Sequence, residues 1–334
     1  MKKLYLSILI LLLTLILFPQ NTIFSHITDI GYPEIKGSSV YNDAEQSWLL
    51  KGSGYNIWFG RDEFHYAYEK IKGDFILTAE FQFNGKGKNA HRKTGWMVRA
   101  DESDNAPHIS AVLHGDGLTV LQWRLMKGAF MRDPEDEIFA PKAAYSILRL
   151  EREGNRFTML AAHPGEPLQV IGTKIMENMP LEVLAGLFVC SHDSSALEEV
   201  KVWNVRIDKP VPDNYQAVKE GYPGSRLEIM NVFDGRRKIV WEKQGRLEAP
   251  NWMPDGKRIL FNMDGFLWTI PPGGGEPEKL NTGFADNNNN DHGISFDGKL
   301  LAISHHRPDM PGGGSTVYVL PLTGGTRSEE HTSE

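Results

Sequence analysis

Phe75-Ile76-Leu77-Thr78-Ala79-Glu80-Phe81-Gln82-Phe83 is the stretch that sets the fold class. Phe75, Leu77, Ala79, Phe81 and Phe83 fall on one side of a period-two chain, and Ile76, Thr78, Glu80 and Gln82 on the other. Side chains of a strand alternate between two faces, so the pattern predicts a half-buried β-strand. Similar runs lie outward from it at Trp96–Asp101, His108–Leu113, Leu118–Leu125, Tyr145–Arg152, Arg156–Ala162, Val183–Cys190 and Val200–Ile207. Asn84-Gly85, His114-Gly115-Asp116-Gly117, Glu153-Gly154-Asn155 and Pro164-Gly165 separate them. Many short strands joined by Gly and Asn turns, with almost no helical periodicity, predict an all-β sandwich or barrel.

The texture changes near Asp208. Lys209-Pro210-Val211-Pro212-Asp213-Asn214 reads as a stiff connector. Beyond Pro223-Gly224 a repeat begins. One unit contains Ala249-Pro250-Asn251-Trp252-Met253-Pro254-Asp255-Gly256-Lys257-Arg258-Ile259-Leu260-Phe261 and runs on through Gly265–Ile270 to Gly273–Leu280. The next contains His292-Gly293-Ile294-Ser295-Phe296-Asp297-Gly298-Lys299-Leu300-Leu301-Ala302-Ile303 and runs on through Ser315–Leu320 to Gly324-Gly325. Each reads as strand, Asp-Gly hairpin with positive φ at both central positions, strand, loop, third strand and Gly-rich turn. A period of roughly 40 residues with three or four strands is the signature of a propeller blade. Arg226–Trp241, with its own Asp234-Gly235, supplies strands ahead of the first unit.

Composition narrows the function classes. Hydrophobic residues make up 40% of 334, enough for real cores, and the formal net charge is −7. That balance argues against nucleic acid or an anionic membrane as partner. Lys2 and Lys3 precede an apolar run from Leu4 to Phe18 that Pro19 breaks, the pattern of an export leader over 1–25. The alternative is an uncleaved N-terminal anchor, and either places the protein in the periplasm or outside the cell. Cys190 is the single cysteine, so no internal disulfide forms. It sits in an apolar run, where it behaves as a small core residue.

The first region, over 26–208, resembles the concanavalin-like β-sandwich family labelled by similarity to a protein regulating enolase. The residues that carry this are Gly52-Ser53-Gly54-Tyr55-Asn56-Ile57-Trp58, Asp62-Glu63-Phe64-His65, Gly73-Asp74-Phe75, Gly95-Trp96-Met97-Val98-Arg99, Leu148–Asn155 and Gly186-Leu187-Phe188-Val189-Cys190-Ser191-His192. The resemblance implies a two-sheet jelly roll, and the fold suggests carbohydrate binding by analogy. After a linker over 209–223, the region 224–326 resembles the TolB-like propeller repeats, on Trp252-Met253-Pro254-Asp255-Gly256-Lys257 and Ser295-Phe296-Asp297-Gly298-Lys299. Phe296 stands where those repeats have proline. A closed ring takes at least four blades, and only about two are present. The last eight residues, 327–334, fit neither the repeat nor a capping strand and match an in-frame sequencing-adapter translation. The expectation is a native sequence that ends near Thr326 in this record and continues elsewhere with further blades.

No strand of the first region carries carboxylates at alternate positions, as a jelly-roll glycosidase would. Asp133-Pro134-Glu135-Asp136-Glu137 reads as a solvated loop. Nucleophile elbow, helical zinc motif and phosphate loop are absent, and no cofactor, metal or catalytic residue is expected in this segment. Binding has more support. Arg99, His108, Gln122 and Arg124 are the candidate ligand-binding residues: with Ser110 they fall on strands whose other faces are apolar, and Gln122 and Arg124 lie opposite Leu121, Trp123 and Leu125. They read either as a polar stripe for sugar hydroxyls or carboxylates on a concave sheet, or as an ordinary wetted sheet face. Trp58 and Trp96 read as stacking platforms or as core. Asp62 with His65, and His192 with Asp193, read as turn supports or ligand-facing groups. The adjacent His305 and His306 point to opposite faces and do not chelate one ion; the asparagines between Asp286 and Asp291 read as a polar loop, and Trp252 and Trp268 as blade packing. The expected function is an exported non-catalytic binding or scaffold protein, with the sandwich on a glycan or wall polymer and the propeller on a protein. The runner-up is the N-terminal part of a secreted serine peptidase or polysaccharide lyase whose catalytic residues lie beyond residue 326.

Overall fold

The computed structural model describes residues 23–307, 314–325 and 329–331. Residues 1–22 of the stretch 1–25 read as an export leader, and most of the C-terminal eight residues, lie outside the described residues.

Fourteen strands run from His26 to Asp208. They are β1 (His26–Ile30), β2 (Ser38–Asn42), β3 (Ser47–Gly52), β4 (Phe64–Lys72), β5 (Phe75–Phe83), β6 (Lys93–Arg99) and β7 (His108–His114). Then come β8 (Thr119–Arg124), β9 (Glu137–Phe139), β10 (Ile147–Glu153), β11 (Arg156–Ala162), β12 (Gln169–Ile175), β13 (Glu182–Cys190) and β14 (Glu198–Asp208). They form two antiparallel sheets of seven, ordered β1-β4-β13-β6-β7-β8-β9 and β12-β11-β10-β5-β14-β3-β2. This is a β-sandwich, and the chain as a whole is all-β.

The period-two pattern does its work at β5. Phe75, Leu77, Ala79 and Phe81 are buried and meet Trp96, Val98, Ile109, Ala111, Leu121, Val183 and Leu187 of the facing sheet. Each large apolar side chain so buried stabilises the fold by about 1.5–3 kcal/mol. Trp96 is therefore core rather than a platform. Phe24 joins the same core, its ring 5.3 Å from that of Trp48 and 6.2 Å from that of Trp96. It falls inside the stretch 1–25 read as a leader, so a cleaved leader would have to end ahead of it.

After a short helix α1 (Ala217–Glu220) the chain builds smaller sheets. A hairpin of β15 (Ser225–Met230) and β16 (Arg237–Lys243) comes first. It is followed by β17 (Glu248–Trp252), β18 (Ile259–Met263), β19 (Phe266–Ile270) and β20 (Glu278–Lys279), and then by β21 (Asn288–Ile294), β22 (Leu300–His306), β23 (Ser315–Pro321) and β24 (Glu329–His331). The last eight strands form two four-stranded antiparallel meanders in chain order. Three sequence expectations change here. At Asp255-Gly256 and Asp297-Gly298 only the glycines take positive φ, +67° and +70°, while the Asp255 and Asp297 carboxylates accept from the amides of Lys257 and Lys299 at 3.0 and 3.1 Å. These two turns are thus carboxylate-capped with a glycine exit, whereas Asp264-Gly265, between Met263 and Phe266, is positive at both centres, +54° and +78°. The asparagine run opens strand β21 instead of forming a loop. Glu329–His331 adds a fourth strand beside β23 where a strandless tail was expected.

These sheets stack face to face. Leu227 and Val240 of the hairpin pack with Ile259, Phe261, Met263 and Ile270. The other face of that meander gives Leu260 and Leu267 to a second core with Leu301, Ile303, Tyr318 and Leu320. Trp252 is 52% exposed, so it is not the packing residue expected; it ends β17 at the sheet edge. The hairpin leans on the sandwich through side chains. Gln46 closes a two-point bond with the backbone of Ile239, at 2.7 and 2.8 Å, and Asn204 Oδ1 accepts from the Arg237 amide at 2.9 Å. Arg236 lies over the Trp203 ring at 4.1 Å.

Candidate functional site

The sheet β1-β4-β13-β6-β7-β8-β9 turns one face to the core; its other face carries the alternate residues. Register places Arg99 opposite His108 and His108 opposite Arg124. The next row is Met97, Ser110, Gln122 and Glu137, and two rows further on Lys93 lies opposite His114. The four candidates Arg99, His108, Gln122 and Arg124 are thereby brought together in two adjacent rows. Neither reading made from sequence describes what surrounds them. The stripe is not a wetted surface and not an open groove, because the loop 53–63 folds over it and all four are buried.

That loop carries the partner of the arginines. Gly54, at φ +132°, brings the chain back so closely that a Cβ there would stand 1.9 Å from the Glu63 carbonyl oxygen. The turn delivers Asp62 onto the sheet. Arg99 Nη1 donates to Asp62 Oδ2 at 2.8 Å, and Arg124 Nη1 and Nη2 donate to Oδ2 and Oδ1 at 2.7 Å each. Asp62 and Arg99 are 0% exposed. Three further donations go to carbonyls: Arg124 Nε to Ala129 at 2.8 Å, Arg124 Nη2 to Phe59 at 2.6 Å and Arg99 Nη2 to Ser103 at 2.7 Å. The guanidinium ends are thus held, though Arg99 Nε and, between the two arginines, His108 Nε2 are buried without a partner. This end of the stripe pins the loops and corrects the expectation that Arg99 and Arg124 stand ready for a ligand. Asp62 does not work with His65, whose Nδ1 lies 2.7 Å from Asp29 Oδ1. Asp193 holds the Ser195 amide at 2.9 Å and the His192 carbonyl accepts from Asn89 at 3.1 Å, so that pair supports turns.

The other end centres on Lys93. Lys93 is 3% exposed, and its Nζ donates to Asn56 Oδ1 at 3.0 Å beneath Trp58, whose ring centre is 5.6 Å away. Burial holds its ammonium below the usual lysine range. Gln122 Nε2 donates to Glu137 Oε2 at 3.2 Å, and burial shifts the Glu137 carboxyl upward. Back in the arginine row, His108 reaches Ser110 Oγ through Nδ1 at 3.1 Å and keeps Nε2 buried without a partner. Burial and then Arg124, Arg99 and Lys93 keep it neutral. Both ring nitrogens of His114 are buried without a partner; burial and Lys93 push its pKa down to about 2. Glu137 also corrects the acidic-loop expectation: it lies on β9 facing this row. Asp136 is likewise buried, accepting from the Arg132 amide and Nε at 3.0 and 2.9 Å.

Above the polar face the covering loops present an aromatic rim. The Tyr55 and Phe59 rings stack at 6.5 Å, Phe130 meets Phe59 edge-on at 6.1 Å, and Arg61 lies over Tyr55 at 4.7 Å. Phe59 is 46% and Phe130 66% exposed. Exposed aromatic clusters on loops held by a rigid scaffold mark interaction sites. The sequence reading passed over Lys93, Phe59 and Phe130, and took Glu137 for part of a solvated loop. The parity Lys93-Gly95-Met97-Arg99 was readable and puts Lys93 on the stripe; the rim was not, since loop aromatics show no periodicity.

The stacked sheets hold a second cleft, of about 570 Å³, lined by Arg246, Glu248, Asp264, Asn287–Asn290 and His306. Its asparagines are structural. Asn262 Nδ2 donates to the carbonyls of Asn288 and Asn289 at 3.2 and 2.8 Å, and Asn288 Nδ2 to those of Gly265 and Ala285 at 3.0 and 2.9 Å. His305 Nδ1 accepts from the Asn287 amide at 3.2 Å and His292 Nε2 lies 3.1 Å from Asn251 Nδ2, which leaves both tied to backbone and side chain. Among the described residues no group of three or more His, Cys, Asp or Glu is placed to hold a metal ion, and no helix is long and apolar enough to cross a membrane.

Comparison with known proteins is partial. No family model matches the chain. An uncharacterized protein of Agrobacterium fabrum is 48% identical over 103 residues, 30% of this chain and 34% of its own length. A solved structure assigned as TolB from Agrobacterium tumefaciens is likewise 48% identical, covering 30% of this chain and 35% of its own, with a TM-score of 0.28. A legume lectin-like domain from Entamoeba histolytica covers 56% of this chain and 90% of its own at 9% identity, with a TM-score of 0.38. This chain thus spans about a third of the length of the Agrobacterium relatives. The sandwich assignment rests on the strand pairing described above.

Proposed function

We propose that the protein is an exported binding or scaffold protein whose sandwich engages a glycan or cell-wall polymer at the rim of Tyr55, Phe59 and Phe130, while the stacked sheets engage a protein. The observation that carries this reading is the rim itself: exposed rings on pinned loops, over a face of buried hydrogen-bonding groups. Sugar rings present C–H faces that stack on aromatics and hydroxyls that meet polar groups at the edge. We further read the sandwich as a relative of the enolase-regulation family, and the two meanders as the first blades of a TolB-like propeller. The pinned loops favour binding over chemistry, since the arginines are spent on Asp62. Titration of the purified protein with a panel of soluble glycans tests the reading. At least one should bind, and Phe59→Ala with Phe130→Ala should weaken it by about tenfold or more. An affinity untouched by the double substitution sinks the assignment of the rim.

A further inference from the structure

A second polar constellation lies on the inner side of the same sheet. His65 shares its parity with Ala67 of the inter-sheet core, while Phe64 and Tyr66 face the other way. It stands across from Asp29 of β1 in register, and its Nδ1 is 2.7 Å from Asp29 Oδ1. A carboxylate only accepts, so Nδ1 carries the proton and Nε2 is left as the acceptor. That acceptor lies 2.9 Å from Ser39 Oγ, a hydroxyl on β2 of the facing sheet. Carboxylate, imidazole and hydroxyl thus stand in one chain of hydrogen bonds, from residues 36 and 26 positions apart in sequence.

The backbone holds this chain of bonds in place. The Gly37 amide donates to both oxygens of Asp29, at 3.2 and 3.1 Å, and so fixes the carboxylate. Gly37 and Gly52 close on the imidazole from two strands' ends. A Cβ at Gly37 would stand 2.3 Å from His65 Nδ1, and one at Gly52 2.7 Å from His65 Cβ. His65 is 2% exposed, whereas Ser39 is half-buried between the exposed Ser38 and Val40. β1 and β2 are edge strands of their sheets, so the hydroxyl lies at the flank of the sandwich with the imidazole behind it.

We infer that Ser39 is a nucleophile for acyl transfer from a carboxylic ester, with His65 as its general base and Asp29 as the positioning group that sets the tautomer. Both distances fall within the range of an activated hydroxyl, base and orienting acid. Ser39 Oγ attacks the ester carbonyl carbon as its proton passes to His65 Nε2. The bond to the alcohol oxygen then breaks, and that proton leaves with the alcohol. Water, deprotonated by the same nitrogen, attacks the acyl carbon and returns the hydroxyl of Ser39, so ester and water become acid and alcohol. Ser39 sits on a strand rather than at a helix N-terminus, which leaves the oxyanion only strand and loop amides to meet. An ester, with its better leaving group, suits that setting more than an amide. The inference goes beyond the glycan reading and does not rest on it.

The test exposes the full chain to a fluorophosphonate, which loses fluoride to a nucleophilic serine, and maps the adduct by peptide mass spectrometry. Ser39 should carry the adduct, and 4-nitrophenyl acetate should be hydrolysed with release of nitrophenolate. Ser39→Ala should abolish both. His65→Gln and Asp29→Asn should each slow adduct formation by about a hundredfold or more, the first by removing the base and the second by favouring the wrong tautomer. Asp29→Glu should recover part of the rate, which a role in the fold alone does not explain, and melting temperatures check that each variant is folded. An unmodified Ser39 in the native chain, an acetate ester left intact, or a rate unchanged in His65→Gln overturns the inference and leaves the glycan reading standing.

Discussion

The sandwich and the stacked sheets use the same local grammar, antiparallel hairpins with glycine exits, yet bury very different things. Between its sheets the sandwich is apolar, and on the outer face of one sheet it hides three cations, a carboxylate and two neutral histidines under a loop. The stacked sheets bury mainly aliphatic residues at their interfaces, with asparagine amides stitched to backbone carbonyls. On that face the charges go underground because a loop is drawn over the sheet. The meanders have no such loop, and each uses its neighbour as a lid.

The sharpest break of this contrast is Asp62→Ala. It strips two fully buried guanidiniums of their carboxylate, and loss of one partner of a buried ionic cluster costs about 3–5 kcal/mol. Urea unfolding followed by tryptophan fluorescence should register it, and a loss under about 1 kcal/mol would mean the face is wetter than described. Leu267→Ala comes next. It opens a cavity between the meanders worth about 2–4 kcal/mol, and the effect should be confined to the transition of residues 225–325. Hydrogen exchange in the sandwich should be unchanged; a loss of protection there would show that the regions unfold as one.

The third comparison is with pH. His114 has a folded pKa of about 2, below its unfolded value near 6.5, so it contributes stability above pH 6.5 that is lost as pH falls toward 2. The slope is about 1.4 kcal/mol per pH unit in that window, with His108 adding in the same direction. His114→Phe should flatten the slope, and an unchanged slope would place the titration elsewhere. The smallest effect belongs to Phe296, which is fully exposed at the β21–β22 turn. Phe296→Ser should alter stability by less than about 0.5 kcal/mol while lowering self-association in sedimentation, as expected if the exposed ring awaits a neighbour.

How much of this could be read from the chain divides along the same line. The alternation of Phe75–Phe83 and the repeated Asp-Gly units prescribe the strands, because period two and turn chemistry are local. The same parity collects Arg99, His108, Gln122 and Arg124 on one face. Their burial was not legible: it depends on Gly54 turning a loop so that Asp62 meets Arg99 across 37 residues and Arg124 across 62. Trp252 misled for the opposite reason. A tryptophan at the end of a strand looks like packing, but whether a sheet edge is covered is a property of the stack rather than of the residue.

One side chain offers a way to watch the face open. Cys190, the only thiol in the chain, lies fully buried with its Sγ 3.4 Å from the carbonyl oxygen of Gly54, at the root of the covering loop. A thiol reagent can reach it only when that loop lifts. Its alkylation rate under native conditions is then a clock for loop opening, and no label needs to be introduced.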